Sequence, residues 1–96
     1  MSQRKTKEPW RRLRIGDKVR IVQLPMFEGV RGGGLLPETR RLYDKLIARG
    51  RPQRIFQIDE YGLPWIRCRF RRKNGEWEGH WLAINDDSWV QVGSRR

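Results

Sequence analysis

The stretch PWIRCRFRRKNGEWEGHWLAINDDSWVQV, residues 64–92, decides the fold. Apolar and polar residues alternate along Pro64–Arg72 and again along Glu76–Ile84, the period of two that a half-buried strand requires. Asn74-Gly75 between them is a hairpin signal, because both residue types tolerate the left-handed backbone of a tight turn. Asn85-Asp86-Asp87-Ser88 marks a second turn before a short strand, Trp89–Val92.

Upstream, Gln53–Asp59 reads as another strand, closed by the turn Glu60-Tyr61-Gly62. Pro37–Arg49 carries the signs of one short helix, with Pro at its first position and Gly50 just past its end. Leu42, Tyr43, Leu46 and Ile47 form its apolar stripe, while Arg40, Arg41, Asp44 and Lys45 point outward. Glu38 and Arg49 suit the dipole at either end. Residues 25–36, PMFEGVRGGGLL, hold Gly29 and the run Gly32-Gly33-Gly34 and read as a flexible, hinge-like loop. Before it, Lys18-Val19-Arg20-Ile21 alternates within a first strand expected from about Asp17 to Leu24, ended by Pro25. The pattern divides the chain into a mobile basic arm, 1–14, one domain, 15–93, and a short tail, 94–96. The arm reads equally as a solubilising tail without a specific partner, with docking of Trp10, its first large apolar residue, on the domain as an alternative.

Ninety-six residues support one modest core, so a second domain is excluded. Five Trp, three Phe and two Tyr give that core large rigid pieces, although only 36% of residues are hydrophobic. The 22 Lys+Arg against 11 Asp+Glu leave a net charge of +11, unevenly spread. Residues 1–14 hold six basic residues (Arg4, Lys5, Lys7, Arg11, Arg12, Arg14) and one acidic (Glu8), whereas residues 15–94 hold 14 basic and 10 acidic. The domain is therefore only mildly basic, with its arginines bunched.

No stretch approaches the roughly 20 apolar residues of a membrane span, and the charged N-terminus never reaches the apolar run of a secretory signal, so a cytoplasmic protein without membrane association is expected. Cys68 and His80 are single, which leaves no internal disulfide and no Cys/His zinc site. No second group is spaced to serve His80 as a nucleophile–base pair, and the protein reads as a non-enzyme, with a carboxylate-only mechanism the one chemistry left open. No cofactor is expected either. The glycine run is not followed by Gly-Lys-Ser/Thr, and the next helix opens on Pro37, which has no backbone N–H for a phosphate.

Five short strands with a long excursion after the first, two tight turns and a brief break before the last strand resemble the layout of SH3-like small β-barrels. Gly16-Asp17-Lys18-Val19-Arg20-Ile21, Ile58-Asp59-Glu60-Tyr61-Gly62, Lys73-Asn74-Gly75-Glu76 and Asn85-Asp86-Asp87-Ser88-Trp89-Val90 carry the likeness, over residues 15–93. The resemblance implies a mostly β, five-stranded barrel with one helix inserted after the first strand, its stripe capping an open end. Val19-Arg20-Ile21-Val22-Gln23-Leu24-Pro25-Met26-Phe27-Glu28-Gly29 is similar to the KOW motif of the same superfamily, which often contacts RNA. It departs from that motif where Met26 separates Pro25 from Phe27 and where a helix follows instead of a return strand.

Alternation along residues 64–72 puts Ile66, Cys68 and Phe70 on one face and Trp65, Arg67, Arg69 and Arg71 on the other. A two-residue turn at Asn74-Gly75 predicts the cross-strand pairs Lys73–Glu76, Arg71–Glu78, Arg69–His80, Phe70–Gly79 and Cys68–Trp81, with Gly79 making room for the Phe70 ring. A three-residue loop shifts every pair by one and carries Trp77 and Trp81 to the basic face. Three arginines beside an indole suit nucleic acid: guanidinium groups hold phosphates and an aromatic ring stacks on an unpaired base. The expected ligand is accordingly RNA or a single strand, bound by Arg67, Arg69 and Arg71, with Trp65 stacking. Arg40, Arg41 and Lys45 extend the surface, and Arg11, Arg12 and Arg14 of the arm add reach. An assembly module docking an acidic protein partner uses the same charges and is the rival expectation.

Overall fold

The computed structural model describes residues 8–93; Arg4, Lys5 and Lys7 of the arm and the tail 94–96 lie outside them. A 3-10 turn, Pro9–Arg12, precedes β1 (Lys18–Ile21), β2 (Met26–Phe27), β3 (Val30–Arg31), α1 (Pro37–Arg49), β4 (Gln53–Arg54), β5 (Gln57–Ile58), β6 (Pro64–Arg71), β7 (Trp77–Ala83) and β8 (Trp89–Val92). The strands make three small antiparallel sheets, ordered β4-β1-β8, β2-β3 and β5-β6-β7.

The five-stranded SH3-like barrel expected from the layout does not form. Its second strand, expected as a continuous Gln53–Asp59, turns a corner at Ile55-Phe56. Gln53 and Arg54 pair with β1, whereas Gln57 and Ile58 pair with β6. Fully buried Ile55 exchanges backbone hydrogen bonds with the Gly16-Asp17 turn at 2.8 Å each, while Phe56 N–H already donates to the Trp65 carbonyl at 3.0 Å. Its first strand is also shorter than Asp17–Leu24. Val22 and Gln23 give their N–H groups to the Ser88 carbonyl, at 2.8 and 3.3 Å, in place of a ladder. Ile84 N–H still donates to the Pro64 carbonyl at 2.8 Å, but after the Asp86–Ser88 bend β8 pairs with β1, so β7 and β8 lie in separate sheets and no barrel closes.

The helix matches the expected span, Pro37–Arg49, residue for residue. Gly50 takes the left-handed conformation (φ 68°) and its N–H donates to the Leu46 carbonyl, the C-terminal stop that a side chain with a Cβ disfavours. Leu42, Tyr43 and Leu46 are buried against Val19, Ile21, Ile55, Ile66, Cys68, Phe70 and Ile84 in one core. The stripe therefore supports the sheets. Trp10 and Leu13 belong to the same core, so the packed structure begins before Ile15.

The segment 25–36 holds a hairpin, not only a loop. Glu28 (φ 47°) and Gly29 (φ 78°) form a two-residue connection between β2 and β3. Asp87 docks this hairpin by accepting from Met26 N–H (3.0 Å) and from Arg31 Nη1 (2.8 Å). Partial desolvation pushes the Asp87 carboxyl up, but these bonds outweigh it and hold the group below its usual range. Gly32 follows, and a Cβ there would lie 2.9 Å from Leu24 Cδ1.

Asp86 joins helix to sheet. It accepts from Tyr43 Oη at 3.1 Å, from Ser88 N–H at 2.9 Å and from Ser88 Oγ at 2.6 Å, and Ser88 is fully buried. Burial first, and then the negative charge of Asp86, push the Tyr43 phenol far above its ordinary value. A raised pKa means that folding opposes ionisation. The stability this contributes is complete below about pH 10, the unfolded value, and declines above it as the unfolded chain loses the proton more readily. Urea titrations from neutral to strongly alkaline pH should show the gap between parent and Tyr43→Phe narrowing above about pH 10. A constant gap would contradict the assignment.

Candidate nucleic-acid interface

The β6–β7 hairpin closes through a three-residue loop, Lys73-Asn74-Gly75. Arg72 N–H donates to the Glu76 carbonyl (2.7 Å), Gly75 N–H donates to the Arg72 carbonyl (2.9 Å), and Gly75 has φ 90°. Asn74 is not in the left-handed region that a two-residue Asn-Gly turn demands; its Oδ1 instead accepts the Glu76 N–H at 2.9 Å. The pairs that follow are Arg71–Trp77, Phe70–Glu78, Arg69–Gly79, Cys68–His80 and Arg67–Trp81. The register expected from a two-residue turn is thus corrected by one position, and every β7 side chain changes face.

That shift builds the site. Arg67, Arg69 and Arg71 on β6 share a solvent face with Trp77, Gly79 and Trp81 on β7, and the two indoles are 55% and 66% exposed. The guanidinium groups of Arg69 and Arg71 each lie 5.1 Å from the Trp77 ring. Arg67 lies 4.6 Å over Phe56, whose ring meets Trp81 at 5.7 Å in an edge contact. None of these three arginines has an ion-pair partner among the described residues. The expected Arg71–Glu78 pair is absent because Glu78 faces the other side. There it meets His80 Nε2 at 3.1 Å, Arg72 at 3.8 Å and Lys45 at 4.0 Å.

A cleft of about 790 Å³ is lined by residues of both faces of the hairpin, Arg67, Arg69, Trp77 and Trp81 from this one and Cys68 and His80 from the other, with the segment leading from α1 into β4 as its wall. Arg49, Arg51, Arg67 and Arg69 line it together with Trp77, Gly79, Trp81 and His80, and no carboxylate does. Arg49 is fixed there by donating to the Arg69 carbonyl (2.8 Å) while stacking 4.0 Å over the Phe70 ring. Cys68, also on the lining, is buried, and burial pushes its thiol up, which makes it a packing residue.

The remaining expected residues are placed differently. Trp65 stands at the end of the basic face, half-buried, with its indole N–H donated to Asp59 Oδ2 at 2.9 Å. That bond, assisted by the N–H groups of Leu63 and Tyr61, holds the Asp59 carboxyl below its usual range. Trp65 is thus a tethered ring, and the open platforms are Trp77 and Trp81. Lys45 lies on the reverse face, 5.2 Å from the Phe70 ring. Arg40 and Arg41 are exposed on α1 outside the cleft lining. Arg11 stacks on Trp10 at 4.4 Å and pairs with Glu8, and Arg14 N–H donates to Asp17 at 2.9 Å. Arg12, exposed on the same 3-10 turn, is likewise absent from the cleft lining.

Trp77, Gly79 and Trp81 are residues of this face that the expected turn concealed, and Phe56, Arg49 and Arg51 join them from other elements. The signal for the tryptophans was present in the three-residue alternative, while Phe56 and Arg51 are brought in by the corner at Ile55. Among the described residues, no cluster of His, Cys, Asp or Glu fits a metal ion, and no helix is long and apolar enough to cross a membrane. Comparison with protein-family models, with curated proteins and with solved structures returns no match.

Proposed function

We propose that this protein is a small non-enzymatic module that binds single-stranded nucleic acid, RNA or DNA, through the β6–β7 face. One observation carries the reading: Arg67, Arg69 and Arg71, without ion-pair partners among the described residues, alternate across two strands with exposed Trp77 and Trp81. Guanidinium groups neutralise phosphates and stack on bases, and exposed indoles accept the flat face of an unpaired base. Exposed indoles favour a single strand over a duplex, because a base inside a duplex has both faces covered by its neighbours. An acidic protein partner could use the same arginines and indoles, and competition by polyglutamate separates that reading from a nucleic acid. The proposal places the protein in the cytoplasm, where such strands are available.

Fluorescence anisotropy of a labelled single-stranded oligonucleotide at two salt concentrations tests this reading. The parent is expected to bind more weakly as salt rises. Arg67→Ala combined with Arg69→Ala should weaken binding by at least about tenfold and flatten the logarithmic salt slope by roughly 1.4, from two lost phosphate contacts on a single strand. Binding unchanged by the double substitution, or equal competition by polyglutamate at matched charge, overturns it.

A further inference from the structure

The middle of β7 carries a glycine that the fold does not require. A glycine weakens a strand interior and ordinarily marks a special backbone conformation or a close approach. Gly79 has neither reason: its φ lies outside the left-handed region in which Gly75 and seven other glycines sit, and a Cβ added there meets nothing nearer than Arg69 Cγ at 4.0 Å, an ordinary contact. The missing side chain instead leaves bare backbone lining the cleft between the two indoles, beside the Arg69 stem. Trp77 and Trp81 border that backbone, four residues or roughly 13 Å apart along the strand, and Arg69 stands directly across.

We infer that Gly79 is the specificity-determining residue of this face, opening a slot between Trp77 and Trp81 that admits one unpaired base. The inference rests on the single-strand reading above and assigns that reading's selectivity to one position. Flat aromatic borders suit a planar occupant, and Arg67 and Arg71, each roughly 7 Å from Arg69 along β6, are spaced to meet the phosphates on either side of it. A base inside a duplex has both faces covered by its neighbours and cannot enter. A side chain at position 79 fills the slot without touching the arginines' charge.

The test compares a labelled hexauridylate with a short RNA duplex at one salt concentration, for the parent, Gly79→Ala, Gly79→Thr and Gly79→Val. The two branched residues should lower the ratio of single-strand to duplex affinity by about tenfold or more, the order of one lost base stack, and alanine by clearly less. Their melting temperatures should equal or exceed the parent's, since branched residues favour strands, which separates a filled slot from a damaged fold. If the parent prefers the hexamer and the branched variants keep that preference within about twofold, Gly79 is not the selector and the single-strand reading stands. A parent that binds duplex as well as hexamer, or binds neither, overturns both.

Discussion

Replacing Trp77 and Trp81 together by alanine should lower affinity for a single-stranded oligonucleotide by about 100-fold at fixed salt, since each stacked base is worth roughly 1–3 kcal/mol. The fold should survive. Both indoles are more than half exposed, and their contacts are with Arg69 and Arg71 in one case and Phe56 in the other, none of them beneath the core. The salt slope should stay near the parent's, because no phosphate-bound charge is removed. That pattern separates the indoles from the arginines, whose loss flattens the slope. A double tryptophan variant that binds like the parent would leave only general polycation behaviour.

The largest expected effect on stability lies at Asp86. Asp86→Ala removes an acceptor shared by Tyr43 Oη, Ser88 N–H and Ser88 Oγ, and leaves the fully buried serine without its partner. Unsatisfied buried polar groups cost roughly 1–3 kcal/mol each, so a loss of about 3 kcal/mol is expected. For a domain of this size that lowers the melting temperature by roughly 10–20 °C. Thermal melts measure it, with Asp86→Asn, which keeps an acceptor, falling between. The turn would also release Asp87 and with it the β2–β3 hairpin, held by Met26 N–H and Arg31. A shift of only about 2 °C would mean that helix and sheet are joined by apolar packing alone.

Local chemistry made some elements legible and left others hidden. Pro37 and Gly50 bound α1 at the expected positions because both signals act within one turn of helix. The alternation of residues 64–71 gave β6 and the separation of its arginines from Ile66, Cys68 and Phe70 for the same reason. The continuous strand expected over Gln53–Asp59 is broken by a contact that local pattern does not encode, Ile55 being held by Gly16 and Asp17 from far along the chain. The barrel failed with it, since local alternation does not specify which sheet a strand's two ends join. The left-handed residue of the β6–β7 loop is Gly75 alone, and the Asn-Gly signal does not distinguish a two-residue connection from a three-residue one.

By itself, then, the sequence determined a β-rich domain with one helix, a strand whose arginines stand apart from its apolar residues, and a net charge of +11 carried mostly by the two ends of the chain. Only tertiary structure decided that Trp77 and Trp81 join those arginines, that Trp65 is tethered to Asp59, that Arg49 and Arg51 line the same cleft, and that Phe56 packs between Arg67 and Trp81. The reason is the pleat: a strand's side chains have a period of two, so a loop one residue longer leaves every local preference intact and still turns a whole strand over.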